Sequence, residues 1–164
     1  MTTTIKSAEL REMKTDIKKA DRAEMAAKLG DALASTVVLY YKTQSVHWNM
    51  TGPLFGTVHQ LTEGQYEDLA ASIDEIAERI RALGAKTPVG LSTYVKNSVI
   101  DDLTEWGDVE DMLKQLTSDN LAVADQMREF VKIAEEADDV FTADLLTARI
   151  GALEEASWML SANL

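Results

Sequence analysis

The sequence predicts an all-α fold: a four-helix bundle with one long crossover between the second and third long helices. Three observations predict it. Four long stretches carry apolar residues at helical spacing. Strand-like alternation is weak throughout. The only two prolines, Pro53 and Pro88, fall in breaks between the helical stretches.

The first long helix is expected over 22–49, with Ala26, Leu29, Leu33, Val37 and Tyr40 or Tyr41 on its apolar face. The run MTGP (50–53) ends it, because Gly52 and Pro53 favour a turn. A second helix is expected over 54–83, with the stripe Val58, Leu61, Leu69, Ile73, Ile76, Ile80 and Leu83, and Gly84 is a natural C-terminal stop. Residues 85–106 then connect to the third helix. Twenty-two residues can run back along a helix rather than close a hairpin, and LSTYVKNS (91–98) reads as a short helix on the way. The third long helix is expected over 108–136, with Met112, Leu113, Leu116, Leu121, Met127 and Phe130 facing inward. EEADD (135–139) breaks it, and a fourth follows over 140–162 with Leu146, Ile150, Leu153, Trp158 and Leu160. This connectivity is the ferritin-like topology. Residues 1–21 read as an N-terminal tail and 22–164 as one domain, long enough for a real core.

Composition narrows the chemistry. Apolar residues make up 46% and charged residues 27%, as in ordinary globular proteins. Cysteine is absent, which removes disulfides, thiolate zinc sites and cysteine nucleophiles. No apolar run approaches a membrane span and the N-terminus lacks a secretory core, so a cytoplasmic location is expected. Net charge is −12. Residues 1–22 carry six basic and four acidic side chains, +6 − 4 = +2, leaving −12 − 2 = −14 for the other 142 residues. Such a body is either a plain solvated surface or one that concentrates cations.

The metal-ligating residue types form a pattern. The only two histidines, His47 and His59, flank the first turn, so a helical hairpin sets them side by side. Asp74 and Glu78, four apart, share one face of the second helix. From His59 to Asp74 the helix turns to a net of about 60°, so both lie on the same side. Glu63 joins that face. Yet the two positions lie about 22 Å apart along the axis, at 1.5 Å per residue. No single ion spans that gap within one chain. Two copies packed antiparallel about a twofold near Glu67 would bring His59 of one copy beside Asp74 of the other. Mixed imidazole and carboxylate donors suit Fe(II) with open positions for an oxidant. Each residue also has an ordinary reading: a lone histidine packs or caps, and acids at i, i+4 are surface. The usual Glu-x-x-His motif is missing, since Gln44 and Gly56 stand three before the histidines. HExxH and the phosphate-binding and nucleophile-elbow motifs are missing as well.

The run HWNMTGPLFGTVH (47–59), followed by E-x2-Y, D-x3-E and AERIRALG, resembles the Dps family, the DNA-binding proteins from starved cells. The spacing His-x11-His-x14-Asp-x3-Glu is similar to that family's ferroxidase signature, and the resemblance covers roughly 22–164. It implies a hollow homo-dodecamer of ferritin-like subunits with iron sites between twofold-related chains. His47 and His59 would come from one chain, and Asp74 and Glu78 from its neighbour. Glu63 matches an acidic position beside the iron. Trp48 matches a tryptophan that takes up stray oxidising equivalents, although it also suits core packing. The implied activity is oxidation of Fe(II) to Fe(III) with hydrogen peroxide or dioxygen and storage of the mineral, protecting against oxidative damage. Asp138, Asp139 and Asp144 resemble acidic threefold pores through which iron enters, while Asp139 equally suits capping of the last helix.

Two other readings stand beside the ferroxidase. Some relatives compact DNA through a basic tail, which would make this a nucleoid protein, but phosphate binding needs positive charge and this tail is only weakly basic. Alternatively, the polar stripe is a mere interface of a structural bundle.

Overall fold

In the computed structural model of the chain, the described residues are 10–103, 105 and 107–164. Every regular element among them is a helix: α1 Lys19–Asn49, α2 Phe55–Ala82, α3 Leu91–Asn97, α4 Val109–Glu136 and α5 Val140–Ser161. The long helices pair as two hairpins, α1 with α2 and α4 with α5. The crossover containing α3 lies along α1, which also packs on α4. Residues such as Met25, Leu29, Leu33, Leu39, Ile76, Ile80, Leu113, Leu116 and Met127 are fully enclosed and form the core.

The helix ends follow local chemistry. Asp108 caps α4 by accepting from the backbone N–H of Asp111 at 3.0 Å. Gly84 stops α2 with φ +94°. Its N–H bonds the carbonyl of Arg81, and that of Ala85 reaches back to Ile80, the paired bonds of a Schellman turn. α1 starts three residues before the expected position 22. It begins there because the preceding segment is tied down rather than loose. Leu10 is buried, the Arg11 N–H donates to the Gly84 carbonyl at 3.0 Å, and the enclosed Arg22 guanidinium donates to Leu83 at 2.9 Å. A Cβ at Gly84 would lie 2.7 Å from the Arg11 carbonyl oxygen, so glycine is required twice over at that position.

Four side chains expected inside are outside in the protomer. Tyr41, Leu121, Trp158 and Trp48 are all exposed. α1 is enclosed on nearly every side, so its interior is not a single stripe.

The interior also holds a charge pair. Lys42, on α1, is 1% exposed and meets the Asp119 carboxylate of α4 at 2.5 Å. Its ammonium donates as well to the Asp101 carbonyl at 3.0 Å, fixing the end of the crossover, and Gln115 donates to the other Asp119 oxygen at 2.9 Å. Breaking one half of such a pair strands a buried charge. Lys42→Met should therefore lower unfolding free energy by about 3–5 kcal/mol, and Lys42→Met with Asp119→Leu should recover most of that loss. Denaturant titration checks both; a single variant as stable as the parent would show that the pair holds nothing.

Candidate metal centre

The turn between α1 and α2 sets the site. Gly52 at φ +84° reverses the chain, and the Phe55 N–H closes the turn on the Gly52 carbonyl at 3.1 Å. The last turn of α1 and the first of α2 then lie side by side. His47 and His59 stack with ring centroids 3.7 Å apart and planes 18° from parallel.

The imidazoles clasp each other's backbone. His47 Nδ1 lies 2.8 Å from the His59 carbonyl, and His59 Nδ1 lies 2.9 Å from the His47 carbonyl. A carbonyl only accepts, so each Nδ1 carries the hydrogen and donates it. In the neutral tautomer that this selects, Nε2 is the nitrogen left for a ligand, the arrangement in which outer hydrogen bonds fix tautomer and ring orientation at metal-binding histidines. Thr62 braces the pair: its hydroxyl donates to the Val58 carbonyl at 2.7 Å and lies 3.4 Å from His47 Nδ1. Phe55 stacks on His59 at 4.9 Å, and Tyr66 stands edge-on to His47 at 5.2 Å. Partial burial, with Glu63 and Glu67 close by, pushes the Tyr66 phenol above its ordinary value, so it is neutral.

The carboxylates are elsewhere. Glu63 is exposed one turn beyond His59, and Asp74 and Glu78 are exposed toward the far end of α2. Among the described residues of one protomer, no three His, Asp or Glu side chains come together. The structure thus unites the histidines and keeps Asp74 and Glu78 apart from them.

The family model for the ferritin-like domain matches residues 26–164. The chain is 33% identical over 152 residues to the DNA protection during starvation protein of Brevibacillus brevis, across 93% of this chain and 99% of that one. It belongs to the Dps family. A second relative of that name, DNA protection during starvation protein 2 of Bacillus anthracis, is 35% identical over 136 residues, 83% of this chain and 93% of its own. The Dps protein of Vibrio cholerae O1 superposes with a TM-score of 0.85 at 31% identity, over 93% of this chain and 98% of that one. That protein is described as a member of a broad superfamily of ferritin-like diiron-carboxylate proteins.

The remaining candidates of this Dps subunit sit where α5 begins. Asp139 is 1% exposed. Its Oδ1 accepts from the Thr142 N–H at 3.1 Å and from Arg79 at 2.5 Å, and its Oδ2 from the Thr142 hydroxyl at 2.6 Å. Both oxygens are thus engaged in capping and pairing. Asp138 is exposed at φ +55°, the left-handed residue of a second Schellman turn in which the Asp139 N–H returns to Ala134 at 2.8 Å. Asp144 is exposed and lines a groove of about 520 Å³ with Glu75, Glu78, Arg79 and Phe141. Trp48 is 59% exposed and meets Tyr41 edge-on at 6.5 Å, so the expectation of core packing is corrected.

Thr62, Phe55 and the contact role of Tyr66 were not read from the sequence. Thr62 and Tyr66 stand three and seven after His59, so helical spacing alone puts them on its face. Two variants separate backbone roles from ligand roles at α5. Asp138→Gly should stabilise the fold by roughly 1 kcal/mol by removing left-handed strain, and Asp139→Ala should destabilise it by about 1–2 kcal/mol through the lost cap. Thermal melts read both; no change in either would remove the capping assignment.

Proposed function

We propose that the chain is the subunit of an iron-storing ferroxidase shell, a homo-dodecamer, that oxidises Fe(II) with hydrogen peroxide or dioxygen and keeps Fe(III) mineral inside. The observation that carries this is the histidine clasp: two stacked imidazoles, each held through Nδ1 by the other's backbone carbonyl, at one end of a rigid helix whose other end bears two solvated carboxylates. Family membership supports iron storage and protection as the coarser reading. The seam between twofold-related copies supplies the finer one, with His47, His59 and Glu63 from one chain and Asp74 and Glu78 from its mate.

The chemistry asks little of the protein beyond placement and charge. Imidazoles oriented through Nδ1 present Nε2 to Fe(II), and the carboxylates add the negative charge that favours the ferric product. Two ferrous ions give one electron each, the peroxide O–O bond breaks, and two hydroxides form, so no hydroxyl radical escapes. The net charge of −12 per chain draws cations toward the particle. No helix among the described residues is long and apolar enough to cross a membrane, and a cytoplasmic location is part of this proposal.

The DNA-binding alternative is less well supported. Most of the weakly basic tail lies in the segment pinned from Leu10 onward, with Lys19 paired to Glu12 at 2.8 Å. Lys6 and Glu9, which cancel formally, precede it outside the described residues. A gel-shift titration should show no retardation at physiological salt; a shift that fades steeply as salt rises would restore that reading.

Mixing variants tests the shared seam. His59→Ala and Asp74→Ala shells should each assemble but oxidise Fe(II) sharply more slowly. Dissociated, mixed in equal amounts and reassembled, they should regain about a quarter of the parental sites, because each mixed twofold pair rebuilds one intact site of two. Failure of the mixture to recover any activity would place each site inside a single chain.

A further inference from the structure

α2 and α5 are tied at two places. Arg79 pairs with Asp139 at the start of α5, and the buried Arg149 forks onto both oxygens of Asp68, with its Nη1 3.0 Å from Oδ1. Beyond the second tie, toward the start of α2, a groove of about 400 Å³ lies between the two helices. Leu61, Leu69, Leu153 and Met159 give it an apolar lining, and Gly64 leaves room where a side chain would project. Neither His47 nor His59 lines it, so the groove is separate from the histidine clasp.

Gln65 lines this groove with half of its amide unanswered. Its Nε2 donates to the Ala156 carbonyl at 3.4 Å, which fixes the orientation of the amide, because Oε1 has no hydrogen to offer a carbonyl. Oε1 is then buried with no hydrogen-bond partner among the described residues. A stranded acceptor is costly, so a donor that reaches it gains more than one at a hydrated surface. Charge selects the donor. Arg149 is spent on Asp68, and the exposed Glu155 leaves the lining net negative, which repels anions. An ammonium would have to shed its hydration to reach a buried oxygen. A phenol offers an O–H donor without a charge, on a flat apolar ring that suits the Met159 sulfur. We infer that the α2–α5 groove binds a small neutral phenol, its hydroxyl donating to Gln65 Oε1 and its ring and short alkyl tail covered by Leu61, Leu153 and Met159.

The test titrates para-ethylphenol into the assembled, iron-free protein by calorimetry and follows the ligand by saturation-transfer NMR. The parent should bind one phenol per chain. Para-ethylanisole keeps the ring but loses the O–H, and should bind about tenfold more weakly, as the loss of one buried hydrogen bond requires. Para-hydroxyphenylpropionate should also bind more weakly, because its carboxylate meets Asp68 and Glu155. Gln65→Met keeps the length of the side chain without the acceptor, and should erase the difference between phenol and anisole. Gly64→Leu fills the groove from a helical position where an added Cβ meets nothing. It should block both ligands while the melting temperature stays at or above that of the parent. Equal binding of phenol and anisole by the parent, or phenol binding that survives Gly64→Leu, overturns the assignment. A parental shell that binds neither ligand overturns it too, with a neighbouring copy covering the groove, and leaves the ferroxidase reading untouched.

Discussion

A continuous helix cannot bring its own two ends together, and the rest of this molecule is arranged around that fact. α2 runs 28 residues without a break, about 42 Å at 1.5 Å per residue. It carries the His59 imidazole near its start and the Asp74 and Glu78 carboxylates near its finish. Bending it would break backbone bonds that nothing else replaces. Its core side is fixed by Val58, Leu69, Ile76 and Ile80, which turns Glu63, Glu67, Ala70, Asp74 and Glu78 outward. The outward stripe is acidic along its length, with Ala70 its one small residue.

The two halves of the site are prepared differently, and their solvation explains why. Imidazoles can hold each other through backbone carbonyls, because His47 and His59 are only twelve residues apart across a tight turn. That half forms with the hairpin and needs no partner. Carboxylates gathered on one chain without a cation would repel one another and lose hydration. Left exposed on α2, Asp74 and Glu78 avoid that cost in the single protomer. In the proposed shell, a site so divided would couple cation binding to assembly.

The helices were legible because their ends are written in short-range chemistry: Gly52 and Pro53, Gly84, Asp108, Asp139. The histidine pairing was legible for the same reason, being a matter of equal distance from one turn. What the sequence hid depends on distant partners. Lys42 reads as a solvent residue, and only Asp119, far along the chain, makes its burial tolerable. Arg22 reads only as the charged first residue of a helix, yet it bonds the Arg11 and Leu83 carbonyls and ties the N-terminal segment to the end of α2. Trp158, Leu121 and Tyr41 fit apolar spacing on their helices but face outward, since spacing gives a face and not what covers it. The edge contact of Tyr66 with Tyr40 was hidden as well, because Tyr40 sits on a different helix.

The acidic groups at the start of α5 show how one residue type divides its labour by backbone position. Asp139 is spent on structure: Arg79 reaches it from α2, donates also to the Thr142 hydroxyl at 2.8 Å, and lies 5.0 Å from the Phe141 ring. Those contacts lock the acid-bearing end of α2 to α5. Asp144, one turn further on, makes no such commitment and shares a groove with Glu78. A carboxylate with both oxygens engaged cannot exchange partners quickly with a passing cation, whereas a hydrated one can. Within the proposed function, Asp144 is the one of the three aspartates that shares a groove with Glu78 and so suits cation transit. Arg79, held by Asp139 and Thr142, lines that same groove.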